Sequence, residues 1–107
     1  VYIVVRSDLP PEQQVVQSIH AAIEVSRTGL IPKDTQHPHL VLCSVPNEEA
    51  LRRLADKLSC CDTAFQSFVE PDRNSELTAI ATAPLCGPAR KPFRNLSLWE
   101  MPNPVAA

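Results

Sequence analysis

A row of side chains able to do acid–base and hydrogen-bonding chemistry follows one side of a predicted helix near the N-terminus. Gln13, Gln17 and His20 lie four and three residues apart, and Glu24 continues the line. Successive helical residues are about 100° apart, so these spacings return to one side of the helix. An imidazole beside two amides can move a proton and hold a polar group. The alternative is that the row is simply the solvent-facing side of an amphipathic helix.

A second polar group follows the third predicted strand. The run Glu70-Pro71-Asp72-Arg73-Asn74 joins two apolar segments, and ligands of open α/β sheets bind where strands end. A carboxylate in this loop could therefore act on a bound molecule. The alternative is an ordinary turn in which Asp72 and Asn74 hydrogen-bond their own backbone. Thr78 adds a hydroxyl on the next strand, where threonine is common in any case.

Composition limits the partners of the chain. The 107 residues are 44% hydrophobic and 21% charged, with a net charge of −2. These values fit one globular domain over 1–107 and argue against a protein that coats nucleic acid without specificity. A local basic patch formed by Arg90, Lys91 and Arg94 remains, in a stretch without acids. It is either a solvated segment or a surface for anions.

No metal or cofactor motif is present in the sequence. Cys60 and Cys61 are adjacent, no CxxC pair occurs, and the two glycines cannot form a phosphate-binding loop. We therefore expect neither metal nor cofactor, and reduced thiols in a cytoplasmic protein. No apolar run approaches the roughly 20 residues that cross a bilayer, so we expect no membrane partner.

Strands and helices alternate along most of the chain. The predicted order is strand 1–6, helix 10–28, strand 40–45, helix 48–58, strand 64–69 and strand 77–83. Gly29 suits the end of the first helix and Asn47 the start of the second. The remainder holds at most a helical turn and a short strand at 96–99, and the tail from Met101 is expected to be frayed. The order predicts a single α/β domain with a mixed four-stranded sheet flanked by helices in three layers.

The first helix is expected to bury its aliphatic side against this sheet. That side comprises Val15, Val16, Ile19, Ala22 and Ile23. The row that contains His20 would then lie on the other side of the helix, where the small Ala21 and Ala22 would let a ligand or another element approach closely.

Several motifs resemble the type II peptidyl-tRNA hydrolases. VVRSDL followed by QSIHAA is similar to that family's N-terminal signature, and LVLCSV followed by PNEEALRRLADKL is similar to its middle. The last apolar strand, followed by a Gly-Pro pair, also fits, so the resemblance extends over nearly the whole chain. It implies hydrolysis of the ester between a peptide and the 3′ ribose of tRNA. It also implies a homodimer and chemistry without a metal.

The resemblance also assigns roles to individual residues. The lysine of the family's pattern corresponds to Gln13, its aspartate to Glu70 and one of its threonines to Asn74. The catalytic set is Gln13, Gln17, His20, Glu70, Asn74 and Thr78. Glu70 or His20 would activate water, and the amides would hold the carbonyl or the ribose. A desolvated Glu70 would have a raised pKa, which suits a base. The substrate-binding set, in which the arginines and the lysine meet phosphates, is Arg6, Asp8, Arg73, Arg90, Lys91 and Arg94.

Three functions stay open at this point. The first is an active hydrolase on peptidyl-tRNA, which the retained Gln17, His20 and Thr78 favour. The second is a homologue without activity that binds RNA through the basic patch. The third is a dimeric interaction module without RNA. The replaced family positions favour the second and third.

Overall fold

The computed structural model describes residues 1–101, which form a mixed sheet with helices on both faces. The strands are β1 (Tyr2–Arg6), β2 (Val41–Val45), β3 (Phe65–Glu70), β4 (Glu76–Thr82) and β5 (Ser97–Leu98). The helices are α1 (Pro11–Arg27) and α2 (Glu48–Cys60), with short 3₁₀ segments at Pro71–Arg73 and Gly87–Phe93. The predicted α/β class with flanking helices is confirmed. The part of the predicted frayed tail after Met101 lies outside the described residues.

The predicted count of four strands is wrong, because the sheet has five. Its order is β3-β4-β1-β2-β5, with β1 and β2 parallel and the other pairs antiparallel. The short strand considered at 96–99 joins the sheet at the free edge of β2. There Ser97 and Leu98 pair with β2, and the Trp99 amide donates to the Leu42 carbonyl at 2.9 Å. Two residues carry too little pattern for the sequence to indicate that this short strand joins the sheet.

Each face of the sheet has its own apolar core. On one face, β1 and β2 place Tyr2, Val4 and Cys43 against α2. On the other face, Ile3 and Val5 belong to the core that packs against α1. This alternation is the period-two pattern of a strand buried on both sides. It explains why β1 is apolar throughout its length until Arg6.

Helix α2 is as predicted. The Asn47 side chain accepts a hydrogen bond from the Ala50 amide at 2.9 Å and so caps the start of the helix. Leu51, Leu54 and Leu58 are buried against the sheet, as their helical spacing indicates. None of the helices within residues 1–101 is long and apolar enough to cross a membrane.

Helix α1 has the predicted bounds to within a residue, but it buries the opposite side. Its buried residues are Gln14, Gln17, Ser18, Ala21 and Val25. The side chains expected in the core, those of Val15, Val16, Ile19 and Ile23, are 41% to 54% exposed.

The reason lies in β4, which presents Ala79 and Ala81 to α1. Small side chains on both elements let the helix approach the sheet closely, so Ser18 and Ala21 fill the contact. The buried polar side chains of α1 are paired; for example, the Ser18 hydroxyl donates to the Gln14 carbonyl at 2.7 Å. Shape and hydrogen bonding therefore outweigh the hydrophobic pattern.

Candidate functional site

A β-bulge in β4 directs Thr78 toward α1. Phe68 of β3 lies opposite Ala79, but Val69 lies opposite Leu77, so Thr78 is one extra residue in β4. With regular alternation Thr78 would share the α2 side of the sheet with Ile80. The bulge instead brings its hydroxyl to Gln17 of α1. Bulges of this kind commonly re-aim a side chain next to a functional site.

Gln17 is the centre of a buried hydrogen-bond network. It is 0% exposed, and its Oε1 accepts from the Thr78 hydroxyl at 2.8 Å. Its Nε2 donates to Glu70 Oε2 at 2.9 Å and, more weakly, to Gln13 Oε1 at 3.4 Å. A buried amide whose donor and acceptor are both used is held in one orientation. Gln17 therefore fixes the Glu70 carboxylate relative to α1 and β4.

The Glu70 carboxylate is ionised and held from two sides. Besides the bond from Gln17, its Oε1 accepts from the Asp72 amide at 3.2 Å, which caps the 3₁₀ segment. The hydrogen bond from Gln17 lowers the pKa of Glu70, and the Asp72 amide and the charges of His20 and Arg73 lower it further. The expected rise of this pKa is therefore wrong, because the side chain is only half-buried and gains more from donors than it loses by desolvation.

The His20 ring is positioned by an aromatic neighbour. It stacks on Phe68 with ring centroids 4.3 Å apart and planes 5° apart. Stacking occupies the face of the ring, while the nitrogens at its edge remain available for hydrogen bonds. His20 is half-buried and close enough for its charge to lower the pKa of Glu70. Gln17 and His20 of the helix row thus meet Glu70 at the start of the acidic loop. Phe68 was not foreseen, because one aromatic residue in a strand signals only core packing.

The turn after Glu70 is strained and carries a cation. Asn74 and Ser75 have φ values of 54° and 60°, conformations that cost non-glycine residues about 1–3 kcal/mol each. The Arg73 guanidinium contributes to lowering the pKa of both Asp8 and Glu70. Its buried Nε has no hydrogen-bond partner within the described chain. The Arg73 guanidinium therefore lies close to both carboxylates. Asn74 is exposed at its rim.

Arg6 does not offer its guanidinium to a ligand as expected. Its Nε and Nη2 each donate to the Asp8 carboxylate at 2.9 Å, and Nη1 donates to Glu76 Oε1 at 2.7 Å and to the Leu77 carbonyl at 3.1 Å. Arg6 itself is 6% exposed. These bonds tie the end of β1 to the start of β4, so Arg6 and Asp8 hold the frame of the site. Glu76 was not foreseen as part of this cluster.

The basic patch lies away from Gln17 and Glu70. Arg90 donates to the Tyr2 hydroxyl at 3.0 Å, and Tyr2 stacks on Phe93 with centroids 4.2 Å apart. Tyr2 begins β1 and Arg6 ends it, which separates them by about 13 Å along the strand. A cavity of about 560 Å³ next to Arg90 and Arg94 opens at this remote end. Lys91 is exposed on the same 3₁₀ segment.

Acid is expected to destabilise the fold through two carboxylates of this region. Hydrogen bonding from Arg6 lowers the pKa of Asp8, and Gln17 lowers that of Glu70, from ordinary values of 3.8 and 4.5. A carboxyl group whose pKa is lower in the folded than in the unfolded state stabilises the fold at pH values above its ordinary pKa. This stabilisation is lost as the pH falls through the pKa of the folded state. Urea unfolding should show constant stability from pH 7 to about pH 5 and a decline below. An Asp8→Asn, Glu70→Gln variant should decline less steeply; an equal slope would contradict this origin.

Within residues 1–101, no three His, Cys, Asp or Glu side chains are grouped so that they could hold a metal ion. The side chains gathered at the site supply an imidazole, a fixed carboxylate, a hydroxyl, three amides and a guanidinium. In the comparisons with known proteins, neither the family models nor the curated proteins gave a match to this chain.

Proposed function

We propose that this chain hydrolyses the ester that joins a peptide to the 3′ ribose of tRNA. The observation that carries the proposal is the buried Gln17, which bonds Thr78 and Glu70 at once beside His20. These are four of the residues to which the resemblance gives a catalytic role. These residues come from three elements, α1, β3 and β4, of which α1 is distant in the sequence from the other two. Ester hydrolysis needs a group that activates water and a group that stabilises the developing oxyanion.

His20 is the water-activating group in this proposal. Of the two candidates, Glu70 is the weaker base, because its pKa is lowered. An imidazole nitrogen can accept a proton from water, and the Glu70 carboxylate lies beside the ring. The stack on Phe68 keeps the ring in place. A carboxylate that supports an imidazole without itself taking the proton is a recurring arrangement in hydrolysis.

Arg73 and the amides would hold the substrate. The charge of Arg73 acts on Glu70, so its guanidinium would be near enough to pair with an oxyanion or with the terminal phosphate. Gln13 lies beside Gln17 and Asn74 at the rim, where each amide can reach a carbonyl or a ribose hydroxyl. The basic patch around Arg90 is a strand length away, so it would contact only a phosphate remote from the ester.

The direct test is release of an N-acetylated amino acid from charged tRNA by the purified chain. Multiple turnovers are expected at catalytic concentrations of protein. Absence of release even with protein in excess over tRNA would exclude hydrolysis. If tRNA then bound with an affinity that falls steeply with salt, the RNA-binding alternative would be favoured. If tRNA did not bind, the remaining function would be that of a dimeric interaction module without RNA.

Replacing Glu70 by glutamine should lower kcat without unfolding the protein. The variant loses the negative charge beside His20 and one of the two acceptors used by Gln17 and Asp72. Charged hydrogen bonds contribute about 1.5–3 kcal/mol, which corresponds to about 10- to 100-fold in rate. Glu49→Gln is the matched control, since the Glu49 side chain is 72% exposed. Equal kcat for the Glu70 variant and the control would show that Glu70 does not support the reaction.

A further inference from the structure

The α2 side of the sheet is open near its β5 edge. Leu98 of β5 lies directly opposite Cys43 of β2, so their side chains share one side of the sheet. Cys43 belongs to the core that packs against α2 and is 1% exposed, but Leu98 is 65% exposed. Within residues 1–101, neither α2 nor the Gly87–Phe93 segment therefore covers Leu98.

A cavity of about 560 Å³ lies over this part of the sheet. Strands β2 and β5 contribute Val41, Cys43 and Leu98 to its lining. Tyr2 and Phe93 line it as well, and their rings stack with centroids 4.2 Å apart. Sites for small molecules in proteins have volumes of about 300–1,000 Å³ and mostly apolar walls. The cavity therefore has the size and the lining to hold the apolar body of a small molecule.

The charged side chains that line the cavity are cations. Arg90 and Arg94 line it, and no carboxylate among the described residues does. Neither arginine forms an ion pair with an acidic side chain of residues 1–101. A guanidinium binds a carboxylate or a phosphate through two parallel hydrogen bonds. Charge therefore selects an oxyanion as the polar part of a ligand.

Arg90 is oriented by a buried partner. Its Nε donates to the Tyr2 hydroxyl at 3.0 Å, and Tyr2 is buried and held by its stack on Phe93. This hydrogen bond uses Nε alone, so both terminal nitrogens of Arg90 remain available as donors. A donor that is oriented before binding loses less conformational entropy when a ligand arrives. Arg90 is therefore prepared to receive an anion at the cavity.

We propose that this cavity binds a small organic anion, whose carboxylate or phosphate group contacts Arg90 and Arg94 while its apolar body lies against Leu98 and Cys43. A tRNA backbone could reach the two arginines from outside, but its phosphates and sugars have no apolar part for the cavity lining. Inorganic phosphate likewise lacks an apolar body. The proposal does not depend on hydrolase activity, because the cavity and Glu70 are about a strand length apart.

Calorimetric titration with octanoate and octyl phosphate tests the proposal. The comparison ligands are 1-octanol, which has the chain without the charge, and inorganic phosphate, which has the charge without the chain. At least one octyl anion should bind, one molecule per chain, about tenfold or more tightly than either comparison ligand. In NMR spectra of the labelled protein, the amides of Cys43, Phe93 and Leu98 should shift on binding, whereas that of Gln17 should not.

Three results of this titration would overturn the proposal. Neither octyl anion binds; inorganic phosphate binds as tightly as both octyl anions, which would indicate only a basic surface; or the amide shifts lie along α1 instead of around the cavity.

Arg94→Gln tests the contact with the anionic group. The variant loses a charged donor at the cavity, so the affinity for the octyl anion should fall by about tenfold. Arg53→Gln is the matched control, because Arg53 is an exposed arginine of α2 that does not line the cavity. Equal affinities of the two variants would contradict the assigned role of Arg94.

Leu98→Asp tests the contact with the apolar body. It puts a carboxylate into the cavity, so binding of the octyl anion should be lost. Ile23→Asp is the matched control, since Ile23 is also exposed, at 54%, and lies on α1 across the sheet. Circular dichroism would verify that both variants stay folded. A folded Leu98 variant that binds the anion as the wild type does would overturn the proposal.

Discussion

Replacing His20 with alanine is expected to lower kcat for release of the peptide from tRNA by about 10²- to 10⁴-fold, the usual contribution of a positioned acid–base group. In the proposed mechanism the imidazole takes the proton of the attacking water, and its stack on Phe68 holds the ring in place. KM should change little, because the contacts proposed for the substrate come from Arg73 and the amides. The measurement is steady-state hydrolysis of N-acetylaminoacyl-tRNA.

The control for this variant is His37→Ala. His37 is exposed in the loop before β2, so its replacement should leave both kinetic constants unchanged. The free energy of unfolding of the His20 variant should fall only by the loss of its stack on Phe68, about 0.5–1.5 kcal/mol. A His20 variant with wild-type turnover would rule out the imidazole as the water-activating group. Circular dichroism would show whether a loss of turnover is caused by unfolding of the variant.

Replacing Arg6 with methionine is expected to lower the free energy of unfolding by about 3 kcal/mol, because removing one partner of a buried ion pair leaves the others uncompensated. The Arg6 side chain is only 7% exposed, whereas its partners Asp8 and Glu76 are 39% and 33% exposed. Water can therefore reach the remaining carboxylates, which places the loss at the lower end of the usual range. The Leu77 carbonyl also loses a donor. Urea unfolding at pH 7 measures the change.

Arg53→Met is the matched control for Arg6→Met. The Arg53–Glu49 ion pair is shorter than a typical one, at 2.6 Å, but its side chains are 75% and 72% exposed. Solvent-exposed pairs contribute about 0–1 kcal/mol, so this variant should unfold almost as the wild type does. A similar loss of unfolding free energy for both variants would show that burial does not distinguish the two arginines. Arg6→Lys should recover only part of the loss, since lysine cannot make the two-pronged bond to Asp8.

The sequence was sufficient to predict most of the fold because its elements carry strong local signals. The β-branched run of β1 and the leucine spacing and Asn47 cap of α2 leave few alternatives. The side of α1 that is buried could not be predicted, since both sides offered a plausible contact. The choice depended on Ala79 and Ala81, which lie more than 50 residues later in the chain.

The sequence indicates which residues could form the proposed site, but it does not indicate their geometry. The spacing of Gln17 and His20 along α1 indicates a shared side, and Glu70 ends a strand, as expected of a ligand-facing carboxylate. Burial of Gln17, the stack under His20 and the lowered pKa of Glu70 depend on contacts between elements that no local pattern encodes. The role of Arg6 was misjudged for the same reason, because its partner Glu76 is 70 positions away.

The extra residue in β4 also sets where the chain can tolerate changes in length. The register fixes Thr78 toward Gln17 and Ile80 toward α2 at the same time. Deleting Thr78 would restore regular pairing and remove the hydroxyl that Gln17 accepts from, while the remaining core stayed in phase. One residue gained or lost within 71–75 would be absorbed by the turn. Descendants of this sequence should therefore differ in length at the turn and keep the same number of residues across the bulge.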